Sequence, residues 1–286
     1  MGSEMCIRDS SWEVDAPLST MDVAYCYPYG QLDVDTLVRE THGYWKADAI
    51  GVSQGARPLV RLSNDYGHAR GDRPGLYLIA RQHSGETPGS WVLDGFMRRV
   101  AELGDRAPLV WAVPLAHIDG VVGGDYGKDG FPYDLNRAWG NPPMRHETLV
   151  YQRDVQRWIE RCRPVLGIDF HAPGACETSG VYAYVPDPAR HSDMHWSVLA
   201  WTTAIKSALG EYAADTFERV VDYPSRWKTP NFSRYLWERH DLCSLGIETP
   251  YALVRETVLT RERYREAGAR MADGIVRALR VRGCLA

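Results

Sequence analysis

Short apolar runs alternate with helix-length segments along most of this chain, and this alternation restricts the folds that it can adopt. Five runs have the length and composition of buried strands. Their alternation with helical segments predicts an α/β domain in which helices cover both faces of one twisted sheet. Ligands of such folds gather at the carboxyl ends of the strands. The predicted strands are Leu76–Ala80, Leu109–Pro114, Val165–Phe170, Val181–Val185 and Leu242–Ile247.

The predicted helices have start signals or one-sided apolar patterns. A helix over Gly89–Leu103 follows Pro88, a residue that suits a first helical turn. A short helix is predicted before Gly43, and the apolar stretch Met21–Tyr29 predicts a strand that runs into a turn. The remaining predicted helices are Glu147–Arg163, Ser192–Leu209 and Thr260–Arg282.

Composition excludes several classes of protein. Of the 286 residues, 44% are hydrophobic and 24% are charged, which is ordinary for a globular domain. A net charge of -4 leaves no excess of Lys and Arg to neutralise phosphates, so we expect no nucleic-acid partner. No apolar run approaches the roughly 18 residues of a membrane helix, so we expect no membrane partner. The six cysteines are scattered, without a Cys-x-x-Cys pair, and suggest no zinc ribbon or disulfide framework.

His83 and Glu86 lie three residues apart, in a turn between a predicted strand and a predicted helix. Because Gly85 makes this turn tight, both side chains can point at one ion. Catalytic zinc typically takes three protein ligands drawn from histidine and carboxylate. With nine histidines and 37 acidic residues, one His-x-x-Glu match is expected by chance. The alternative is a capped helix start, with Thr87 as the cap and Glu86 favoured by the helix dipole.

Two further polar side chains end apolar strands. His171 follows Val165–Phe170, and Asp169 lies two residues earlier on the same face, where it can orient a ligand histidine. The alternative is a core histidine beside an aspartate. Glu248 follows the strand that ends at Ile247. An unpaired carboxylate is costly there, so Glu248 needs a partner or a chemical role.

The segment Pro132–Trp139 carries candidates for binding a carboxylate. The guanidinium of Arg137 offers a planar fork that matches a carboxylate, and Asn136 can donate a hydrogen bond beside it. The alternative is a surface loop that holds an ion pair.

In this order and spacing, the four features resemble the zinc carboxypeptidase family, the carboxypeptidase A-like enzymes. The likeness covers about residues 22–280 and is greatest to the cytosolic carboxypeptidase branch, which trims C-terminal acidic residues. Three sequence segments resemble this branch: His83-Ser84-Gly85-Glu86-Thr87-Pro88-Gly89-Ser90-Trp91, Tyr27-Pro28-Tyr29 and Asp134-Leu135-Asn136-Arg137.

The resemblance implies a single catalytic α/β domain with a mixed, mostly parallel sheet, and one Zn²⁺ per chain. Zinc would be bound by His83, Glu86 and His171. Asn136 and Arg137 would hold the terminal carboxylate of the substrate, and Glu248 would act as general base. Asp134 would support His83 on the side of its ring that faces away from the metal.

Two departures from the family pattern concern catalysis. Gly127 stands where the family usually has an Arg that stabilises the oxyanion, and we predict that the adjacent Lys128 supplies the charge. The mobile Tyr of the family has no clear match, because Tyr223 and Tyr235 both have the wrong spacing.

The sequence does not define which side chain of the substrate the protein would select. Arg226 and Lys228 either line a pocket for an acidic side chain or belong to an exposed basic loop.

The resemblance also predicts the domain boundaries. Residues 1–10 read like a translated sequencing adapter, and we expect an artefactual or disordered start. The cytosolic branch carries a β-sandwich domain before its catalytic domain. Residues 11–24 are therefore expected to be a remnant of that domain, and residues 25–286 the catalytic domain.

The leading hypothesis is a cytoplasmic zinc exopeptidase that removes C-terminal residues, acidic ones among them, from peptides or protein tails. One alternative is a zinc amidase or deacylase that acts on small acyl-amino acids. The other is an inactive relative that binds peptide tails. The sequence leaves the residue removed and the oligomeric state open.

Overall fold

The computed structural model describes residues 24–65, 71–128, 133–221 and 227–285, and these ranges hold ten strands and seven α-helices. The strands are β1 Lys46–Val52, β2 Pro58–Ser63, β3 Pro74–Ala80, β4 Leu109–Val113, β5 Arg163–His171, β6 Val181–Tyr184, β7 Ala213–Arg219, β8 Ser244–Glu248, β9 Leu253–Val254 and β10 Thr257–Val258. The helices are α1 Gln31–Glu40, α2 Thr87–Leu103, α3 Ile118–Gly123, α4 His146–Arg161, α5 Ser192–Leu209, α6 Phe232–His240 and α7 Arg261–Val281.

Eight strands form one mixed sheet in the order β1-β2-β4-β3-β5-β8-β6-β7, and β9 and β10 form a separate ribbon. The four central strands, β4, β3, β5 and β8, run parallel to one another. Their carboxyl ends therefore meet at one edge of the sheet. Every residue of β3 is buried, and β5 is buried from Leu166 onward, as expected for strands covered on both faces.

Alternation along the central strands divides the core into two layers. On one face, Phe170 of β5 packs edge-on against Phe96 of α2. On the other face, Tyr77 of β3 packs against Trp158 of α4 and Phe232 of α6, with ring centroids 5.6 Å and 6.0 Å away. The predicted fold, a mostly parallel mixed sheet with helices on both faces, is confirmed.

Most of the predicted elements are confirmed within three residues at each end. The five strands correspond to β3, β4, β5, β6 and β8, and the helices to α1, α2, α4, α5 and α7. The strand over Met21–Tyr29 is wrong for its described part, because residues 24–29 form no strand, and residues 21–23 lie outside the described residues. Residues 1–23 of the two predicted N-terminal segments also lie outside them.

No described helix is both long and apolar enough to cross a lipid bilayer.

Helices α2 and α7 approach closely where both carry glycine. A Cβ on Gly268 would overlap the carbonyl oxygen of Val92, and one on Gly95 would overlap the carbonyl oxygen of Arg265. Glycine lowers helix propensity, so its presence here is explained by the backbone contact.

We predict that Gly268→Ala destabilises the fold by about 1–3 kcal/mol, since the overlap outweighs the gain in helix propensity. Urea unfolding followed by circular dichroism measures the change. Gly174→Ala is the control, because a Cβ there meets nothing within 4 Å, and we expect a change below about 0.5 kcal/mol. Equal effects of the two substitutions would contradict the packing argument.

Candidate metal centre

The turn that follows β3 is held by its own arginine. Arg81 has a φ of +62° and is buried, and its Nε donates to the carbonyl oxygen of Ser84 at 2.6 Å. Its Nη1 donates to the carbonyl oxygen of Tyr29 at 2.7 Å. These bonds fix the path of the chain through His83 and direct both His83 and Glu86 toward the carboxyl end of β5.

The neighbouring loop explains the glycine at position 127. The backbone N–H of Gly85 donates to the carbonyl oxygen of Tyr126 at 2.9 Å, so the two loops lie in contact. Gly127 has a φ of +96°, and a Cβ there would collide with the backbone nitrogen of Ser84. A side chain at position 127 is thus excluded, and the charged residue next to it is Lys128.

His83, Glu86 and His171 converge on one point. Their candidate ligand atoms all lie within 4.8 Å of one another, and all three residues are buried. His83 Nδ1 lies 3.0 Å from Glu86 Oε1, and His171 Nδ1 lies 2.7 Å from Glu86 Oε2. This set of two imidazoles and one carboxylate can hold a metal ion.

The Nε2 atom of each histidine faces a second carboxylate, on the side of the ring opposite Glu86. His83 Nε2 lies 3.2 Å from Asp134 Oδ1, and His171 Nε2 lies 2.6 Å from Asp169 Oδ2. A carboxylate at Nε2 favours a proton on that nitrogen, so Nδ1 is the nitrogen that would give up its proton and offer a lone pair to a metal ion. Both Nδ1 atoms face Glu86, so the arrangement selects Nδ1 as the ligand atom.

Charge at the centre is balanced by these contacts. Burial alone would raise the pKa of Glu86, but His83 and His171 hold it well below its ordinary value. Burial alone would lower the pKa of His171, but Asp169 and Glu86 raise it well above its ordinary value. The carboxylate form of Glu86 is therefore strongly favoured, which suits a site that attracts a cation.

Glu248 lies beside this group. It ends β8 and pairs in register with His171 at the end of β5. Its Oε2 is buried and has no hydrogen-bond partner among the described residues. Burial raises the pKa of Glu248 to about 7; Glu86 adds to the shift, and His171 and Lys128 oppose it. A carboxyl group with such a pKa can both accept and release a proton near neutral pH.

Asn136 and Arg137 differ in their surroundings. Asn136 is buried: its Oδ1 accepts from Gln82 Nε2 at 3.1 Å and from the backbone N–H of Phe232, and its Nδ2 contacts His171 Nε2 at 2.8 Å. Arg137 is half-buried, and its Nη1 donates to the carbonyl oxygen of Asn136. The structure thus packs Asn136 against a predicted ligand and leaves Arg137 more accessible.

Lys128 lies in contact with the candidate metal centre. Its Nζ is 2.9 Å from Glu86 Oε1, an oxygen of a predicted ligand. Burial alone would lower the pKa of Lys128, but Glu86 outweighs burial and the net pKa is raised. Lys128 is therefore a cation beside the candidate metal ligands.

The specificity candidates lie apart from this group or outside the described residues. Tyr235 packs against Trp139, and its Oη is 3.0 Å from His240 Nε2, which makes it a core residue in this structure. Lys228 is exposed. Tyr223 and Arg226 lie outside the described residues.

Sequence reasoning missed Gln82, which ties several site residues together. Gln82 is fully buried, and its Nε2 donates to Asp169 Oδ2 at 2.7 Å as well as to Asn136. Its Oε1 accepts from Trp139 Nε1 at 2.7 Å. An amide next to a predicted ligand was the available signal, but its partners lie in two segments that are distant along the chain.

A cavity of about 1200 Å³ opens beside the centre. Its wall includes Ser84 and Gly85 from the turn between His83 and Glu86. On the side of Glu248, its wall includes Tyr182, whose Cα pairs in register with Glu248, and Tyr251.

Sequence comparison finds relatives that are named cytosolic carboxypeptidases. No protein-family model matches the chain. The chain is 27% identical to cytosolic carboxypeptidase 1 of Gallus gallus over 186 residues, which cover 56% of this chain and 15% of that protein. It is 30% identical to cytosolic carboxypeptidase 6 of Homo sapiens over 179 residues, which cover 57% of this chain and 36% of that protein. The matched region is thus well under half of these relatives.

Solved structures share the fold. A metallo-carboxypeptidase from Burkholderia cenocepacia aligns with a TM-score of 0.72 and 21% identity over 90% of this chain and 71% of that chain. A metallo-carboxypeptidase from Pseudomonas aeruginosa, in complex with (2-guanidinoethylmercapto)succinic acid, aligns with a TM-score of 0.67 and 19% identity over 91% of this chain and 71% of that chain. The chain resembles the zinc carboxypeptidases, near their cytosolic branch. The family resemblance and the carboxypeptidase-like fold expected from the sequence are confirmed.

We predict that Asp134→Asn and Asp169→Asn each weaken metal binding by about 10–100-fold, because an amide no longer fixes the proton on the histidine Nε2. Isothermal titration with Zn²⁺ as the probe ion measures the affinity. Asp273→Asn on α7, which removes a partner of Arg99 on α2, should bind as the unchanged protein does. Wild-type affinity in both site variants would contradict the use of Nδ1.

Proposed function

We propose that this chain is a zinc metallocarboxypeptidase that hydrolyses the C-terminal peptide bond of peptides or protein tails. The observation that carries the proposal is the pair of buried histidines whose Nδ1 atoms face both oxygens of Glu86, with Glu248 beside them. The names of the relatives and of the structural neighbours support the same activity. They also support a metal-dependent mechanism.

The donor set fits zinc. Two imidazole nitrogens and one carboxylate, each histidine backed by a further carboxylate, are the ligands that catalytic zinc sites use. Zinc in such a set supplies a water of lowered pKa and polarises a carbonyl group. We propose one Zn²⁺ per chain, bound by His83, Glu86 and His171.

Glu248 is the proposed general base. Its buried and unpartnered Oε2 and its pKa of about 7 suit a group that takes a proton from the attacking water. The same carboxyl can then deliver that proton to the nitrogen of the leaving residue. The nitrogen must be protonated to leave as an amine, so one residue serves both steps.

Arg137 is the proposed anchor for the terminal carboxylate of the substrate. Its half-buried guanidinium lies on the same short segment as Asn136, which contacts His171. A planar guanidinium can bind a carboxylate through two parallel hydrogen bonds. Asn136 remains a predicted second donor, and in the structure its amide contacts Gln82, Phe232 and His171 instead.

We predict that Glu248→Gln lowers kcat by about 10²–10⁴-fold, because the amide cannot accept the proton. Release of the C-terminal residue from a short peptide, followed by mass spectrometry, measures the rate. Metal content should stay at one equivalent, because Glu248 lies outside the three proposed ligands. A variant that keeps full metal and full rate would show that another group is the base.

Lys128 is the proposed source of the positive charge that stabilises the oxyanion. Gly127 excludes a side chain, and the ammonium of Lys128 reaches the centre. Its contact with Glu86 also allows a role in holding that ligand.

We predict that Lys128→Ala lowers kcat by about 10²–10³-fold. Lys128→Arg keeps the charge and should recover part of the rate. A kcat that does not change in Lys128→Ala would exclude the oxyanion role. Loss of metal in that variant would instead assign Lys128 to support of Glu86.

The missing Arg at position 127 favours a second candidate, an inactive relative that binds peptide tails. A peptide-library digest with zinc-loaded protein separates the candidates. Loss of single C-terminal residues supports the carboxypeptidase, and acylated amino acids as the best substrates support a deacylase. Stoichiometric zinc without turnover of either class supports the binding protein.

A preference for acidic released residues and a cytoplasmic location remain proposals. The first rests on the sequence resemblance, and the second on the word cytosolic in the names of the relatives.

A further inference from the structure

The buried amide of Gln82 supports the carboxylate that faces His171 Nε2. Gln82 Nε2 donates to Asp169 Oδ2 at 2.7 Å, and the same oxygen lies 2.6 Å from His171 Nε2. The other oxygen of Asp169, Oδ1, is buried and has no hydrogen-bond partner among the described residues. Gln82 is fully buried, so water does not compete for the bond to Oδ2. This amide therefore restricts the positions that Asp169 can take, and through Asp169 the direction of the His171 ring.

The same amide is connected to the carboxylate that faces His83 Nε2. Gln82 Nε2 also donates to Asn136 Oδ1 at 3.1 Å, and the backbone N–H of Asn136 donates to Asp134 Oδ1 at 2.8 Å. Asp134 Oδ1 lies 3.2 Å from His83 Nε2. One side chain thus joins the contacts that hold both candidate ligand histidines, although these contacts come from distant parts of the chain.

Trp139 determines which end of the Gln82 amide faces the carboxylate. The indole Nε1 can only donate, and it lies 2.7 Å from Gln82 Oε1. Nε2 of Gln82 is therefore turned toward Asp169 and Asn136. Asn136 is oriented in the same way, because its Oδ1 also accepts from the backbone N–H of Phe232 at 3.1 Å. Rotating either amide by 180° would break these bonds, so the contacts select one arrangement of the two amides.

We propose that Gln82 is a positioning residue of the metal centre, which holds His83 and His171 in the orientation for binding before the ion arrives. This inference rests on the metal site of the proposed function. Without the amide, Asp169 would keep no side-chain hydrogen bond among the described residues except its contact with His171. Metal binding would then have to order both side chains, and a site that is not ordered in advance binds more weakly.

Asn64 offers a control for a role in fold stability alone. It is a buried amide that also makes three hydrogen bonds: its Nδ2 donates to Tyr44 Oη and to the carbonyl oxygen of Pro108, and its Oδ1 accepts from the backbone N–H of Val110. These bonds lie at the amino end of β4, whereas the metal centre lies at the carboxyl ends of β3 and β5. Loss of the Asn64 amide should therefore cost stability without affecting the metal ligands.

The test compares Gln82→Met with Asn64→Leu, which each remove a buried amide and keep the approximate size of the side chain. Urea unfolding of the metal-free proteins measures stability, and isothermal titration with Zn²⁺ as the probe ion measures affinity. We expect both variants to be less stable, and only Gln82→Met to bind Zn²⁺ about tenfold more weakly, because residues that orient metal ligands contribute about that factor. The visible spectrum of the Co²⁺-loaded protein should change in Gln82→Met and stay unchanged in Asn64→Leu.

Gln82→Asn serves as a second variant should Gln82→Met not fold. It keeps a buried amide but withdraws it by one methylene group, so the donor no longer reaches Asp169 at hydrogen-bond distance. We expect a several-fold weaker affinity for Zn²⁺. Wild-type affinity in the folded Gln82 variant would overturn the positioning role. Equal losses of affinity in the Gln82 variant and Asn64→Leu would also overturn it, because a general loosening of the fold would explain both.

The remaining outcomes separate this inference from the proposed function. Wild-type protein that binds no Zn²⁺ would overturn both. Zn²⁺ binding that the Gln82 variant weakens, with no turnover of any peptide by the zinc-loaded wild type, would overturn the carboxypeptidase function and support the positioning role. Turnover of peptides together with unchanged affinity in the Gln82 variant would leave the function intact and overturn this inference alone.

Discussion

The buried carboxylate of Glu86 is the interaction on which the site depends. Its two oxygens contact His83 Nδ1 and His171 Nδ1, its Oε2 also accepts from the backbone N–H of Ala172, and its Oε1 lies 2.9 Å from Lys128 Nζ. These groups come from the turn after β3, from the end of β5 with the residue that follows it, and from the loop after α3. A lone buried carboxylate would be unstable, so the segments that surround Glu86 must keep their positions for the fold to tolerate it.

Much of the fold follows from the sequence because the central strands are covered on both faces. Continuous apolar runs such as β3 and β5 are recognisable without any partner. The strands β1 and β7 were missed because they lie at the edges of the sheet and carry exposed polar residues, as in Ala213–Arg219. The apolar stretch at Met21–Tyr29 has strand composition, but its described part packs onto the domain without a strand partner: Tyr29 contacts Trp91 edge-on.

The sequence predicted only those site residues whose order and spacing along the chain suggested a common centre. The spacing of His83, Glu86, His171 and Glu248 suggested one centre, and the structure brings these side chains together. Hydrogen-bond partners such as Gln82 could not be predicted, because they depend on contacts between distant segments.

The central claim is that two histidines and Glu86 bind one zinc ion through the Nδ1 atoms. A crystal of the zinc-loaded protein, with anomalous diffraction recorded at the zinc edge, tests it most directly. The account predicts a single strong peak about 2.0–2.2 Å from His83 Nδ1, His171 Nδ1 and a Glu86 oxygen. A peak at the Nε2 atoms, or at another set of residues, would contradict it.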